Sequence, residues 1–120
     1  MNITSFINQK LKANPELVEL TKNQIYPICA DEDTTGNYIV FQQDGQKPVY
    51  YQDYRKRNET LVTARIYVVS QSYDEAVSIL SKVTETLETN GCEFTSLYGE
   101  DYDQVYEYFV IETQIEKRMN

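Results

Sequence analysis

The stretch TLVTARIYVVSQSYDEAVSILSKVTETLETNG, residues 60–91, is the most informative about the fold, because its hydrophobic period changes partway along. Up to residue 70, apolar and more polar residues alternate, which predicts a β-strand with one face in the core. The predicted core face comprises Val62, Ala64, Ile66 and Val68, and the wetter face comprises Thr63, Arg65 and Tyr67.

From residue 73 onward the period becomes helical, and start and stop signals bracket a central helix over about residues 73–90. Ser72, with Glu75 three positions later, matches a capping box. Asn90 followed by Gly91 is typical of a helix end. The predicted buried stripe comprises Ala76, Leu80, Val83 and Leu87, with Val77 beside it.

The chain before residue 24 is also predicted to be helical. The apolar residues Ile3, Phe6, Ile7 and Leu11 recur at helical spacing. Asn14-Pro15-Glu16 supplies an N-cap, a first-turn proline and an acid, so a second turn or helix should run through Leu20. QIYP, residues 24–27, then ends helical structure, because Pro27 favours extended geometry before it. A polar loop is expected over residues 30–36.

The remaining segments are predicted to be strands. NYIVFQQ, residues 37–43, is β-branched and aromatic. Asp44-Gly45 offers turn chemistry before an extended piece at residues 49–51, which favours a hairpin. Two further strands are expected over residues 92–98 and 104–116, joined through Gly99–Asp103.

Together these elements predict one α+β domain over residues 1–120. We expect a mostly antiparallel sheet of about four strands, with the N-terminal helix and the central helix packed on one face. The length suits a single domain with its own core.

Composition narrows the classes of function. The net charge is −8 and the pI is near 4.5, which oppose general attraction to nucleic acid and to anionic membranes. MNITSFINQKLKANPEL, at the start, matches neither a signal peptide nor a membrane span, so we expect a soluble protein. There is no histidine, and Cys29 and Cys92 have no metal-ligand spacing, so both are predicted to be free thiols packed as small hydrophobes. We expect no enzyme activity and no cofactor.

Acidic residues and tyrosines are concentrated in residues 99–116, GEDYDQVYEYFVIETQIE. Alternation predicts a core face of Val105, Phe109, Ile111 and Ile115, and an outward face of Gln104, Tyr106, Tyr108, Glu112, Gln114 and Glu116. Most acids therefore follow the solvated face. Glu107 falls on the apolar side, where it should lie near an edge, beside a cation or against another subunit. Glu100, Asp101 and Asp103 have the chemistry of Mg²⁺ or Ca²⁺ ligands, as does the run Asp31-Glu32-Asp33, but neither set matches an EF-hand.

Residues 50–57, here called the basic segment, form the one electropositive feature. The segment contains Tyr50, Tyr51, Tyr54, Arg55, Lys56 and Arg57. Aromatics beside cations can stack on single-stranded nucleic acid, so a small acidic binding module for nucleic acid or protein is one hypothesis. Docking on an acidic protein surface is the other.

Several segments resemble the bacteriophage tail-completion, or tail-terminator, family. They are QIYP (24–27), NYIVF (37–41), ARIYVVSQSYDEA (64–76), the Leu80, Val83 and Leu87 stripe, and DYDQVYEYFVI (101–111). The resemblance implies a small α+β protein that forms a ring, often a hexamer, on the head-proximal end of a tail tube. Members usually have proline where this chain has Asn37, and the family supplies no catalytic residues.

The resemblance implies a virion location at the tail or neck, after synthesis in the cytoplasm of a bacterial host. The implied partners are further copies of the chain and the tail-tube and neck or connector proteins, with no membrane and no nucleic acid. A ring subunit needs two different surfaces that meet between copies. We expect the basic segment to be one, and Glu100, Asp101, Asp103 and Glu107 to form the other, either against each other or against neighbouring virion proteins.

Overall fold

The protein is a twisted sheet with helices packed on one face, seen in a computed structural model that describes residues 2–50 and 56–119, without the side chains of residues 50, 56–58 and 96–98. The elements are α1 (Ile3–Lys12), α2 (Pro15–Thr21), β1 (Ile25–Pro27), β2 (Tyr38–Tyr50), β3 (Lys56–Ser70), α3 (Tyr73–Thr89), β4 (Glu93–Asp103) and β5 (Tyr108–Met119). The strand order within the described part is β1-β2-β3-β5-β4.

The predicted α+β class with a mostly antiparallel sheet is confirmed, but the described sheet has five strands rather than four. The additional strand is β1, which is parallel to β2, whereas the other neighbouring pairs are antiparallel. Backbone hydrogen bonds from Ile39 to Gln24 (3.0 Å) and from Ile28 to Phe41 (2.8 Å) continue this pairing. Ile25, at the start of β1, is buried in the core.

The central strand β3 confirms the predicted alternation. Val62, Ala64, Ile66 and Val68 are buried under the helices. Arg65, on the opposite face, lies 3.1 Å from Asp44 of β2 and 3.2 Å from Glu112 of β5, and so bridges the neighbouring strands. Burying the apolar face drives the helices onto this side of the sheet, while the ion pairs mark the other side as the wetter one.

Both N-terminal helices have asparagine N-caps, of which Asn14 was predicted and Asn2 was not. Asn2 Oδ1 accepts a hydrogen bond from Ser5 N (2.8 Å) at the start of α1. Asn14 Oδ1 accepts from Glu16 N (3.0 Å) at the start of α2, where Pro15 occupies the first turn. The Asn14 Nδ2 group also donates to Thr86 Oγ1 (2.8 Å), which fixes α2 against α3. No helix among the described residues is long and apolar enough to span a lipid bilayer.

The helix α3 has the predicted bounds and the predicted Ser72 N-cap, but its capping box is incomplete and its buried stripe is shifted. Ser72 Oγ accepts from Glu75 N (3.4 Å), whereas Ser72 N donates to Ser70 Oγ (3.0 Å), and the Glu75 carboxylate accepts from Asn37. The reciprocal half of the predicted capping box is therefore replaced by contacts with other elements. The buried stripe comprises Ala76, Ile79, Val83 and Leu87.

Placing Leu80 in the stripe was wrong, and Val77, which was expected beside the stripe, does not pack into the core. Leu80 is half-buried and Val77 is exposed, because both line an open depression of about 470 Å³ along α3. Ile79 and Leu80 lie on opposite sides of the line through Ala76, Val83 and Leu87, so periodicity alone could not choose between them.

The predicted turn at Asp44-Gly45 is a bulge inside a continuous β2. The register between β2 and β3 shifts between Gln43 and Gly45, and the strands then remain paired as far as Tyr50 opposite Lys56. Thr63 Oγ1 donates to Gly45 O (3.3 Å), close to where a side chain on Gly45 would lie. Asp44-Gly45 therefore forms a β-bulge within the strand here instead of reversing the chain.

The predicted turn through Gly99–Asp103 was also misplaced. These residues belong to β4, whose register with β5 shifts twice, once between Phe94 and Ser96 and again between Leu97 and Gly99. Gly99 has a φ of +156°, at the second shift. The strand β4 stays paired with β5 as far as Asp103, and the chain reverses at residues 104–107 instead.

The two cysteines are free, as predicted, but only Cys92 is packed as a small hydrophobe. Burial raises the pKa of the Cys92 thiol, and the nearby charge of Lys117 lowers it to a smaller extent. Cys29 is exposed just after β1, contrary to the prediction, because the chain leaves the sheet there.

Candidate functional site

Tyr50 and Lys56, which flank the undescribed part of the basic segment, lie at the opposite end of the sheet from residues 100–107. The strand β3 runs from Lys56 at one end to Ser70 at the other, and Ser70 pairs with Phe109 at the start of β5. Its 15 residues, at a rise of about 3.3 Å each, span about 50 Å. The longest dimension of the described molecule is 52 Å. One chain therefore cannot bring its own two charged ends together.

Most of the basic segment falls outside the described residues. Tyr51, Tyr54 and Arg55 are not described, and of Tyr50, Lys56 and Arg57 only the backbone is, with Tyr50 paired to Lys56. The predicted interface role of this segment stays a prediction that rests on its sequence.

The opposite end, here called the acidic end, consists of residues 100–107 together with Tyr73 and Val77 of α3. Its turn is held by one carboxylate. Asp103 Oδ1 accepts hydrogen bonds from Val105 N (2.9 Å) and Tyr106 N (3.2 Å), and Glu107 N donates to Asp103 O (2.8 Å). Asp101 Oδ1 likewise accepts from Tyr102 N (2.8 Å). Backbone N–H groups thus occupy an oxygen of both carboxylates.

The third acid, Glu100, joins the turn to α3. Its carboxylate is hydrogen-bonded to the hydroxyl of Tyr73, and this bond is the main cause that raises the pKa of Tyr73. Phe109 lies beneath, 5.7 Å from the Tyr73 ring and 4.7 Å from the Tyr102 ring, measured between centroids. These aromatic contacts give the acidic end a firm apolar base.

A second aromatic pair connects β2 and β5, the two strands on either side of β3. The rings of Tyr38 and Tyr108 are 6.0 Å apart and nearly perpendicular, and the Tyr108 hydroxyl accepts from Gly36 N (3.2 Å). Burial is the main cause that raises the pKa of Tyr38, with smaller contributions from Tyr108 and Asp103. This pair connects the loop before β2 to the base of the acidic turn.

Predicted positions near the turn need correction. Val105, predicted on the core face, is 82% exposed. Glu107, predicted on the apolar side of a strand, is an exposed turn residue with a φ of +60°. Both predictions extended the alternation of β5 past its first residue, Tyr108, whereas Ile111 and Ile115 confirm that alternation inside the strand.

The sequence did not reveal the apolar surface at the acidic end. The described residues include six large apolar side chains that are exposed, and all but Ile28 belong to this end. These are Tyr73, Val77, Tyr102, Val105 and Tyr106. A signal was present, since the turn alternates tyrosine and valine with acids, but finding the surface requires knowing where β4 stops.

The geometry gives little support to metal or acid–base chemistry. Among the described residues, no group of three or more acidic or cysteine side chains is placed to hold a metal ion. The run Asp31-Glu32-Asp33 is exposed on the loop before β2. The depression along α3 is lined by residues of that one helix, so it brings no groups together from separate elements.

Comparison with known proteins gives a fold-level likeness. The chain is similar to a chain in a solved structure described as "Virion of native gene transfer agent (GTA) particle", with a TM-score of 0.74 and 14% sequence identity. The match covers 97% of this chain and 92% of the other. No protein-family model matches the sequence. A search of curated proteins likewise gives no match. The likeness therefore concerns the fold.

Proposed function

We propose that this protein is a structural subunit of a phage-like virion, with no catalytic role and no cofactor. The observation that carries the proposal is the likeness to a chain of a gene transfer agent virion, because it extends over almost the whole of both chains. A likeness of that extent concerns the complete architecture rather than a shared helix-and-sheet motif. Fold alone does not fix function, so the site must also agree with the proposal.

The site agrees in two respects. The described carboxylates at the acidic end serve the backbone of a turn and a tyrosine hydroxyl rather than converging in a cleft. The exposed apolar side chains cluster at that same end, which is typical of a surface for protein contact. An assembly subunit needs such a surface, whereas a general acid or base needs a site that faces a substrate.

Within the virion, we propose that the protein completes the tail. Several copies would form a ring on the head-proximal end of the tail tube, end its growth and present a surface to the neck or connector. The support is the resemblance of residues 24–111 to tail-completion proteins, together with two different charged ends that suit contacts between copies.

Deletion of the gene from the phage or prophage that encodes it tests this function. Negative-stain electron microscopy of the lysate should show filled heads separate from tails, and tails of uneven length. Supplying the wild-type chain from a plasmid should restore joined particles of uniform tail length. If the deletion yields joined, infectious particles with normal tails, the proposed function is wrong.

A further inference from the structure

We infer that the acidic end is the docking surface for the basic segment of a second copy, so that copies join head to tail. The inference rests on the proposed function in one respect: it assumes that several copies of the protein assemble with one another. It adds which surfaces meet and what chemistry joins them.

The apolar side chains at the acidic end indicate a protein partner. Val105 is 82% exposed and Tyr106 is 70% exposed, and both project from a turn whose backbone is fixed by Asp103. The rings of Tyr102 and Tyr73 contact Phe109 beside them, at interplanar angles of 38° and 68°. Tyrosines on a rigid base lose little conformational entropy on binding, and they are common among residues that dominate interface energies.

The charge of this end selects a basic occupant. Glu100, Asp101, Asp103 and Glu107 lie within eight positions, and no lysine or arginine occurs anywhere from Val83 to Glu116. Local cations that could neutralise these acids are therefore missing from the whole second half of α3, from β4 and from most of β5. Such a surface repels nucleic acid and acidic proteins and attracts a cationic segment.

The same chain carries a suitable occupant. Arg55-Lys56-Arg57 is the only run of three consecutive cations in the sequence, and tyrosines precede it at positions 50, 51 and 54. Arginine can pair with a carboxylate and also stack on a tyrosine ring, so both parts of the acidic end would find a counterpart.

Topology requires this contact to be intermolecular. The two ends lie about 50 Å apart along β3, so the basic segment of one copy can reach only the acidic end of another. When two identical chains join through two different surfaces, the first copy still has a free acidic end and the second still has a free basic segment, or the reverse. The contact therefore repeats from copy to copy, and it forms a ring when the rotation between copies closes.

Charge reversal in two separate variants tests the inference. The acid-reversed variant carries Glu100→Lys, Asp101→Lys and Glu107→Lys, and keeps Asp103 because its carboxylate holds the turn. The base-reversed variant carries Arg55→Glu, Lys56→Glu and Arg57→Glu. Each variant alone should associate on the order of a hundredfold more weakly than the wild type, because its two ends then have the same sign.

Mixing the two variants shows whether the acidic end and the basic segment contact each other. Each altered end then meets an oppositely charged end on the other variant, so the mixture should regain the mass of the wild-type assembly. Sedimentation velocity over a concentration series up to the millimolar range, at low salt, measures the association. A matched control with Glu19→Lys, Glu85→Lys and Glu88→Lys makes the same change in charge at exposed helical positions and should associate like the wild type.

The contribution of the apolar side chains to association is tested by the double variant Val105→Ser with Tyr106→Ser. This variant should also associate more weakly than the wild type, while its circular dichroism spectrum stays unchanged. Absence of self-association at millimolar wild-type concentration would overturn the inference. A mixture no larger than its separate components, or a control that fails equally, would overturn it too. Particle morphology is a separate readout: if the mixture assembles while the gene deletion leaves virions normal, only the proposed function fails.

Discussion

The side chain of Asn37 should contribute strongly to stability, because it joins three elements at the end of the sheet. Its Nδ2 group donates to Leu20 O (3.1 Å) near the end of α2 and to Glu75 Oε2 (3.2 Å) in the first turn of α3. Its Oδ1 atom accepts from Ser70 Oγ (2.6 Å) at the end of β3. The substitution Asn37→Ala removes all three bonds at once.

The expected cost follows from the surroundings of each bond. A net intramolecular hydrogen bond contributes about 0.5–1.5 kcal/mol, and one that leaves a buried partner without its bond costs more. Ser70 is fully buried, whereas the bond to Glu75 is exposed and should contribute least. We therefore expect Asn37→Ala to lower the free energy of unfolding by about 2–3 kcal/mol.

Urea denaturation, followed by circular dichroism at one fixed protein concentration, measures this change. With an m-value of about 1.5–2 kcal/mol/M, the midpoint should fall by about 1–2 M. Asn37→Pro, the residue usual in the resembled family, should cost at least as much, because all three bonds use the side chain. The exposed control Gln46→Ala should change the free energy by less than about 0.5 kcal/mol. A loss below about 0.5 kcal/mol for Asn37→Ala would refute the role assigned to this residue.

Three further predictions concern separate parts of the molecule. Ile28 has a φ of +72° although it is β-branched and exposed, so Ile28→Gly should raise the free energy of unfolding by up to about 1 kcal/mol in urea melts, and a loss of stability would show that its side chain packs. A thiol reagent should modify the exposed Cys29 quickly and the buried Cys92 only on unfolding, so mass spectrometry of the native protein should find one modified site; two equally fast sites would contradict the packing. The hydrogen bond and charge of Lys82 lower the pKa of Glu16 below its ordinary value of 4.5, so the stabilisation is present above that value and is lost as the pH falls through the lowered pKa. The Tm difference between wild type and Lys82→Met should therefore close in acid, and a difference that persists there must come from packing.

The central strand and helix could be predicted because their signals are strictly local. Val62 to Val68 alternate without interruption, and Ser72 and Gly91 mark the helix ends. The strand β1 could not be found this way, because its three residues are too short to show a period. It exists because its backbone pairs with β2 across the intervening loop.

The errors at the candidate site have one physical cause. Asp44-Gly45 and Gly99 are sequence signals for a change of backbone direction, and they do not distinguish a turn from a bulge. Which one forms depends on the partner strand: β3 extends to Lys56, and β5 begins only at Tyr108. The positions of Val105 and Glu107 follow from that second boundary. The negative charge of the acidic end could therefore be predicted from the sequence, whereas its exposed apolar surface could be found only from the structure.

Cryo-electron microscopy of purified particles would locate this chain in the virion. We expect density for several copies of the chain, arranged as a ring where the tail tube meets the head. Particles complete at that junction, with no density for this chain and none of its peptides in their mass spectra, would contradict this expectation.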